Sequence, residues 1–278
     1  MDKQLAVYRG TVPRGAQTWE MPLHTPDILA SARVLACCNL AYQLTGDRKY
    51  VDAGRQWAWT GVSMVYLDRP TDGAVGLYAT TAVLGATNWV APYWIGLPVQ
   101  WCGLVYRSSV QDLARLDPDE GAFWGHLAAG ITRSGLQQTF SLGDSQRQGL
   151  LPDFYHLLEQ LPDGPAISPG TVQANLAEAY GQTPIYTLHR VSAEGMLLHV
   201  PGGIGRVEQV GPMVRIAMDG WSSRPYWLRL VRVPAVPPRV ELEGGKVLET
   251  DYNADRKTLN VLVEGKGPMV LSLLPAAR

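Results

Sequence analysis

The sequence predicts an α+β multidomain protein, with a helical-hairpin domain over residues 1–182 and a C-terminal antiparallel β-sandwich over residues 183–278. Three observations lead there. Apolar residues recur at helical spacing through the first part of the chain, with Pro, Ser or Thr at the starts and Gly at the stops. From Ile185 the pattern changes to short β-rich runs divided by Gly, Pro, Asn and Asp, at spacings typical of a sandwich. The centre, Asp72 to Arg107, has no charged side chain between its two ends, yet Asn88, Gln100, Pro92 and Pro98 break every window long enough to cross a membrane. It reads as a buried or cleft-lining connection, and no membrane partner is expected.

The helices follow in order. Residues before about Met21 show no periodicity and read as extended chain. In the first helix Thr25 suits the cap, Pro26 the first turn and Asp27 the positive end of the dipole, while Gly46 ends it in left-handed geometry. Ile28, Leu29, Ala32, Leu35, Ala36, Asn39 and Leu40 share one face. Asp47 caps a second helix running to Leu67, whose stripe includes Tyr50, Gly54, Trp57 and Gly61, so that small residues allow close approach within an αα-hairpin. A third helix starts at Val99, with Leu104, Val105, Ser108 and Leu113 inward, and a fourth covers Gly121–Phe140 with Phe123, Leu127, Gly130, Ile131 and Ser134. Trp57, Trp59 and Trp124 lie at helical spacing and read as core. A short helix at Tyr155–Gln160 and one over Ser168–Gly181 complete the domain. In the sandwich, Tyr226 to Val233 alternates apolar residues with Trp227 and arginines, the pattern of a strand with one buried face.

Composition excludes several functions. With 18% charged residues and a formal net charge of −1, bulk electrostatics attracts neither nucleic acid nor an anionic membrane. Adjacent Cys37 and Cys38 point about 100° apart on a helix and cannot easily join, so no disulfide is expected. Without a CxxC there is no zinc cage, and the thiols read as small buried hydrophobes. Nucleotide, zinc-protease and serine-hydrolase motifs are missing, so neither metal nor cofactor is expected. The first residues, MDKQLAVYRGTVPRGAQ, lack the apolar core of a signal peptide.

The segment AYQLTGDRKYVDAGRQWAW, Ala41 to Trp59, resembles the hairpins of the six-hairpin (α/α) toroid glycosidases and polysaccharide lyases. The likeness extends across WEMPLHTPD and the tryptophan-rich centre. It implies a toroid-like helical domain joined to a β-sandwich, with a poly- or oligosaccharide as partner. Periodicity gives roughly three hairpins, so the chain looks like the second half of such a toroid, with an open edge that would favour self-association. The family signature is a packing and capping pattern, and no catalytic motif maps from it residue by residue. What it implies is a glycoside hydrolase, with a polysaccharide lyase or a non-catalytic carbohydrate-binding or scaffolding fragment as alternatives. By substrate class the expected location is extracellular or periplasmic.

Within that reading, two loops carry the candidate chemistry. Trp19, Glu20, His24 and Asp27 meet at the start of the first helix, and Arg147, Gln148 and Asp153 share a polar loop. Glycoside hydrolysis needs one carboxyl kept protonated and one ionised, roughly 5–5.5 Å apart for retention and 6.5–9.5 Å for inversion. Glu20 beside Trp19 suits the acid and Asp153 the ionised partner, with Asp27 as its substitute; capping and turn formation are the structural alternatives for all three. Asn88, Trp89, Tyr93, Trp94 and Trp101 offer a flat sugar-binding floor, helped by Trp19 and His24. In a lyase, Asn88, Gln148 or Arg147 would neutralise a uronate and His24 or Tyr93 would take the proton.

Overall fold

The computed structural model describes residues 1–13, 26–84, 95–167, 175–176, 184, 186–192, 195–235 and 237–275. It has the α+β architecture expected, with helices first and antiparallel strands after them. The chain divides into two compact units, Met1–Tyr42 with Asp47–Ala179, and Gln43–Gly46 with Tyr180–Arg278.

The first unit contains α1 (Asp2–Tyr8), α2 (Ile28–Thr45), α3 (Lys49–Val62), α4 (Gln100–Leu116) and α5 (Gly121–Gln137). The α1 helix lies where extended chain was expected; none of its residues is buried, so no apolar stripe announces it. Its Asp2 accepts from the Tyr50 hydroxyl at 2.7 Å and pairs with Lys49, tying it to α3. Asp27 caps α2, the Ala30 amide donating to its Oδ1 at 2.6 Å, while Thr25, expected at the cap, lies outside the described residues. Gly46 has φ +72°, as expected of a helix stop. At α3 the capping position is Arg48, while the Asp47 carboxylate accepts from the Lys49 amide; the helix ends at Val62, five residues earlier than its apolar stripe suggested.

Small residues set the helix spacing. Gly54 lies against Leu35 and Cys38 of α2, as the hairpin reading requires, but Gly61 faces α4, where a methyl group would overlap the Tyr106 ring. Tyr106 is fully buried and its hydroxyl donates to the Ala58 carbonyl at 2.5 Å. Between α2 and α4 the Asn39 amide donates to the Ser109 carbonyl and the Ser109 hydroxyl to that of Ala32. The core joins Ile28, Leu35, Leu104, Leu113, Trp124 and Ile131 with Leu151 and Phe154 from beyond the helices.

Several side chains leave their expected faces. Leu40, Trp59 and Phe123 are exposed, and Ser108 is exposed although its hydroxyl is bonded. Trp59 and Phe123 stack on each other at 4.9 Å, so the aromatic pair caps the outside of the core. Cys37 is exposed, whereas Cys38 and Cys102 are buried. The segment from Tyr155 to Gln160 is not a helix. It belongs to a hairpin of β1 (Leu151–His156) and β2 (Leu161–Ile167), where burial on both sides of β1 and the turn at Gln160 with φ +55° override the short helical pattern. Of the helix expected over 168–181, Asn175 and Leu176 are helical and the rest lies outside the described residues.

The second unit is a two-sheet sandwich. Its strands are β3 (Thr187–Arg190), β4 (Leu197–Val200), β5 (Gly202–Val210), β6 (Met213–Gly220), β7 (Tyr226–Val231), β8 (Arg239–Glu243), β9 (Lys246–Asn253), β10 (Thr258–Glu264) and β11 (Gly267–Leu274). One sheet has the order β3-β4-β7-β10-β9 and the other β5-β6-β11-β8, all antiparallel. Leu198, Leu228, Leu230 and Val261 from the first meet Val214, Ile216, Leu271 and Leu273 from the second in one core. In β7, Trp227 and Arg229 are exposed between buried leucines, as alternation predicts.

Candidate functional site

The candidate site forms where three separate stretches of the first unit meet at the start of α4. Pro98 and Val99 lead into that helix, and the Tyr155 amide donates to the Pro98 carbonyl at 3.0 Å, laying β1 alongside its first turn. This brings Asp153 to Trp101: the indole N–H donates to Asp153 Oδ1 at 2.9 Å.

Asp153 therefore sits on a strand and not in the loop expected from sequence. Its placement depends on an irregularity in β2. Pro152 pairs with Ala166 and Phe154 with Asp163, so Gly164 and Pro165 together face Asp153 in a β-bulge. Gly164 has φ +76°, and a Cβ there would stand 2.7 Å from Asp153 Cβ and 3.2 Å from Oδ2. Glycine is required on both counts.

Asp27 arrives from the other side. It forms an isolated antiparallel bridge with Val83, which in turn bridges Ile95 in parallel, and the Ile28 amide donates to the Ala82 carbonyl at 3.1 Å. The Asp27 amide donates to the Pro13 carbonyl at 3.4 Å. The described ends that flank residues 14–25 and 85–94 thus converge on Asp27. Trp19, Glu20, His24, Asn88, Trp89, Tyr93 and Trp94 lie in those two segments, outside the described residues.

Cys102, next to Trp101 in the chain, is fully buried. Burial raises its thiol well above the ordinary value, and the charges of Asp27 and Asp153 raise it further. The same effect keeps the thiol protonated and a poor nucleophile. Thr81, two residues before the Asp27 partner Val83, bridges Pro98, so the Asp27 stretch and β1 both reach the entry to α4. No local pattern announces the pairing of Trp101 with Asp153, because the two residues are distant in the chain.

Of the other candidates, Arg147 is engaged elsewhere and Gln148 lies exposed in the turn at Asp144. Arg147 donates to Asp144 through Nε at 2.8 Å and lies over the Phe140 ring at 4.2 Å, and the Gln148 amide closes the same turn on the Asp144 carbonyl. Gln100 is buried: its Oε1 accepts from the Thr80 and Gln138 nitrogens and its Nε2 donates to the Ile131 carbonyl. It supports the site from beneath and cannot reach a ligand.

The strongest charge cluster is structural. Arg55 of α3 donates twice to Asp117 at 2.9 and 2.6 Å and also reaches Asp119, while Trp124 donates to the same Asp117 carboxylate at 3.3 Å. Burial alone would raise the Asp117 carboxyl, but the Arg55 bonds and the backbone amides of Asp119 and Glu120 outweigh it and bring it down to about 2. The cluster locks α3 to the turn between α4 and α5, and its charges are used up in doing so.

No protein-family model matches the chain. No curated protein matches it either. Among solved structures it is similar to a GH127 β-L-arabinofuranosidase from Geobacillus stearothermophilus T6, at 12% identity and a TM-score of 0.32, over 99% of this chain and 48% of that one. The chain spans about half the length of that enzyme. A likeness this slight transfers neither residues nor reaction.

Proposed function

We propose that the protein is carbohydrate-active and acts as a glycoside hydrolase on a poly- or oligosaccharide. The observation that carries this reading is the pairing of Asp153 with the Trp101 indole at 2.9 Å, at the entry to α4 that the Asp27 stretch also reaches. A partly buried aromatic ring next to an oriented carboxylate suits a sugar, which offers a C–H face for stacking and hydroxyls for hydrogen bonds. The resemblance of the Ala41–Trp59 hairpin to toroid glycosidases supports the same class.

In this proposal Asp153 is the ionised partner, and the Trp101 N–H orients its carboxylate. Asp27 accepts the Ala30 amide and serves as the cap of α2. The acid falls to Glu20, on the segment whose flanks meet at Asp27. The lyase alternative is weaker because Arg147, its cation for a uronate carboxylate, is engaged by Asp144 and Phe140.

The test is turnover of an oligosaccharide panel by the parent, Asp153→Asn and Glu20→Gln, with product analysis. Loss of an acid or base costs about 10² or more in rate, so each variant should fall at least that far with binding retained. Unsaturated products absorbing in the ultraviolet would replace hydrolysis with elimination. Binding with no cleavage by the parent would leave a carbohydrate-binding fragment, and activity within a few-fold in both variants would remove these carboxylates from the reaction.

A further inference from the structure

The helical unit has a second concave feature, lined by none of the residues assigned a role above. A cleft of about 290 Å³ opens between the 69–78 connection and one side of α5, with Arg69, Tyr78, Gly130, Arg133 and Gln137 among its walls. That volume is at the small end of ligand pockets and suits one molecule of monosaccharide size.

Its shape depends on a strained residue. Tyr78 has φ +63°, a left-handed backbone that a bulky side chain rarely adopts. The surroundings hold it there. Its amide donates to the Tyr66 carbonyl at 2.8 Å, its ring lies over Gly130, where a Cβ would overlap it, and its hydroxyl is 3.0 Å from His126 Nε2. The neighbouring Val75 and Ala79 are buried against Tyr155, so the connection is anchored on both sides of the strained position. Strain maintained by this many contacts is characteristic of ligand clamps.

The charges in the cleft are of one sign. Arg69 has a single weak neighbour, Asp72, at 3.7 Å and 99% exposed. Arg133 forms no ion pair among the described residues, and no acidic residue lines the cleft. Two arginines therefore line a cavity to which no acidic residue among the described ones contributes, and a planar guanidinium fork suits a carboxylate or a phosphate. Gln137 adds an amide that can both donate to and accept from hydroxyls.

We propose that this cleft binds a small hydroxylated ligand through one anionic group, the class that includes sugar acids and sugar phosphates. The anion sits against Arg133 with Arg69 at the rim, and Gln137 takes a hydroxyl. The site is independent of glycoside cleavage, and its test does not depend on turnover.

Isothermal titration of the full chain with glucuronate, glucose 6-phosphate, inorganic phosphate and glucose separates the components. At least one of the two anionic sugars should bind about tenfold or more tightly than glucose, and the tighter of them identifies the anion as carboxylate or phosphate. Arg133→Gln should weaken that binding at least about tenfold and Arg133→Lys less, with unchanged circular dichroism because Arg133 is exposed. Glucose binding as tightly as the acids, no anion binding at millimolar concentration, or an unaltered affinity in Arg133→Gln would each overturn the proposal. Inorganic phosphate matching glucose 6-phosphate would overturn the part played by hydroxyls.

Discussion

Replacing Asp117 by Asn tests the charge cluster that fixes α3 to the α4–α5 turn. The Asp117 side chain has no exposure and accepts both nitrogens of the Arg55 fork, so its charge is compensated by geometry and not by water. Its carboxyl is lowered from 3.8 to about 2. At about 1.4 kcal/mol per tenfold, that corresponds to roughly 2 kcal/mol of stability. The sign follows from linkage. The folded state keeps Asp117 ionised to lower pH than the unfolded chain does, so the contribution is complete above about pH 4 and is lost as pH falls toward 2. Arg55 keeps Asp119 at 3.0 Å and Glu120 at 3.8 Å, so the variant does not strand a cation and the loss stays below that of a fully orphaned charge. For a unit of this size, about 2 kcal/mol lowers Tm by roughly 4–8 °C. Thermal melts of parent and Asp117→Asn, followed by the helical circular dichroism signal from pH 7 downward, measure it. The gap should be full at neutral pH and close between about pH 4 and 2. A neutral-pH gap within about 1 °C, or one that persists unchanged to pH 2, refutes the reasoning.

Two further substitutions probe packing and site geometry. Gly61→Ala puts a methyl group into the Tyr106 ring, which is buried and bonded to Ala58, so stability should fall by about 1–3 kcal/mol in a urea titration; an unchanged midpoint would mean that α3 and α4 separate freely. Gly164→Ala forces a side chain into φ +76° and against Asp153, so it should cost about 1 kcal/mol or more and reduce turnover beyond what the stability loss explains. Parent-like turnover in a folded Gly164→Ala protein would show that Asp153 does not need its present position.

The architecture was legible where burial follows local periodicity. Helices α2 to α5 and the strands of the sandwich were readable because each has a regular apolar stripe or alternation, and their bounds moved by a few residues. The site was only partly legible. Asp27 and Asp153 were candidates from their loop chemistry, and Trp101 from its position at a helix start. The means by which they meet was not readable: the hairpin β1–β2 looked like a helix, since LPDFYHLLEQ has apolar residues at both spacings and too short a run to decide between them.

The sequence by itself determined the order of helices and strands, the change of period after the helical part, the helix stop at Gly46 and the inward face of β7. These depend on backbone sterics and on which residues leave water, and both act over a few neighbouring positions. Only the tertiary structure decided that Gly61 serves Tyr106 rather than α2, that Trp59 and Phe123 lie outside the core, and that Asp117 is held by Arg55 and Trp124. The pairing of Trp101 with Asp153 belongs with these. Each is a contact between residues far apart in the chain, set by how whole elements pack, and no local pattern of residues encodes such a distance.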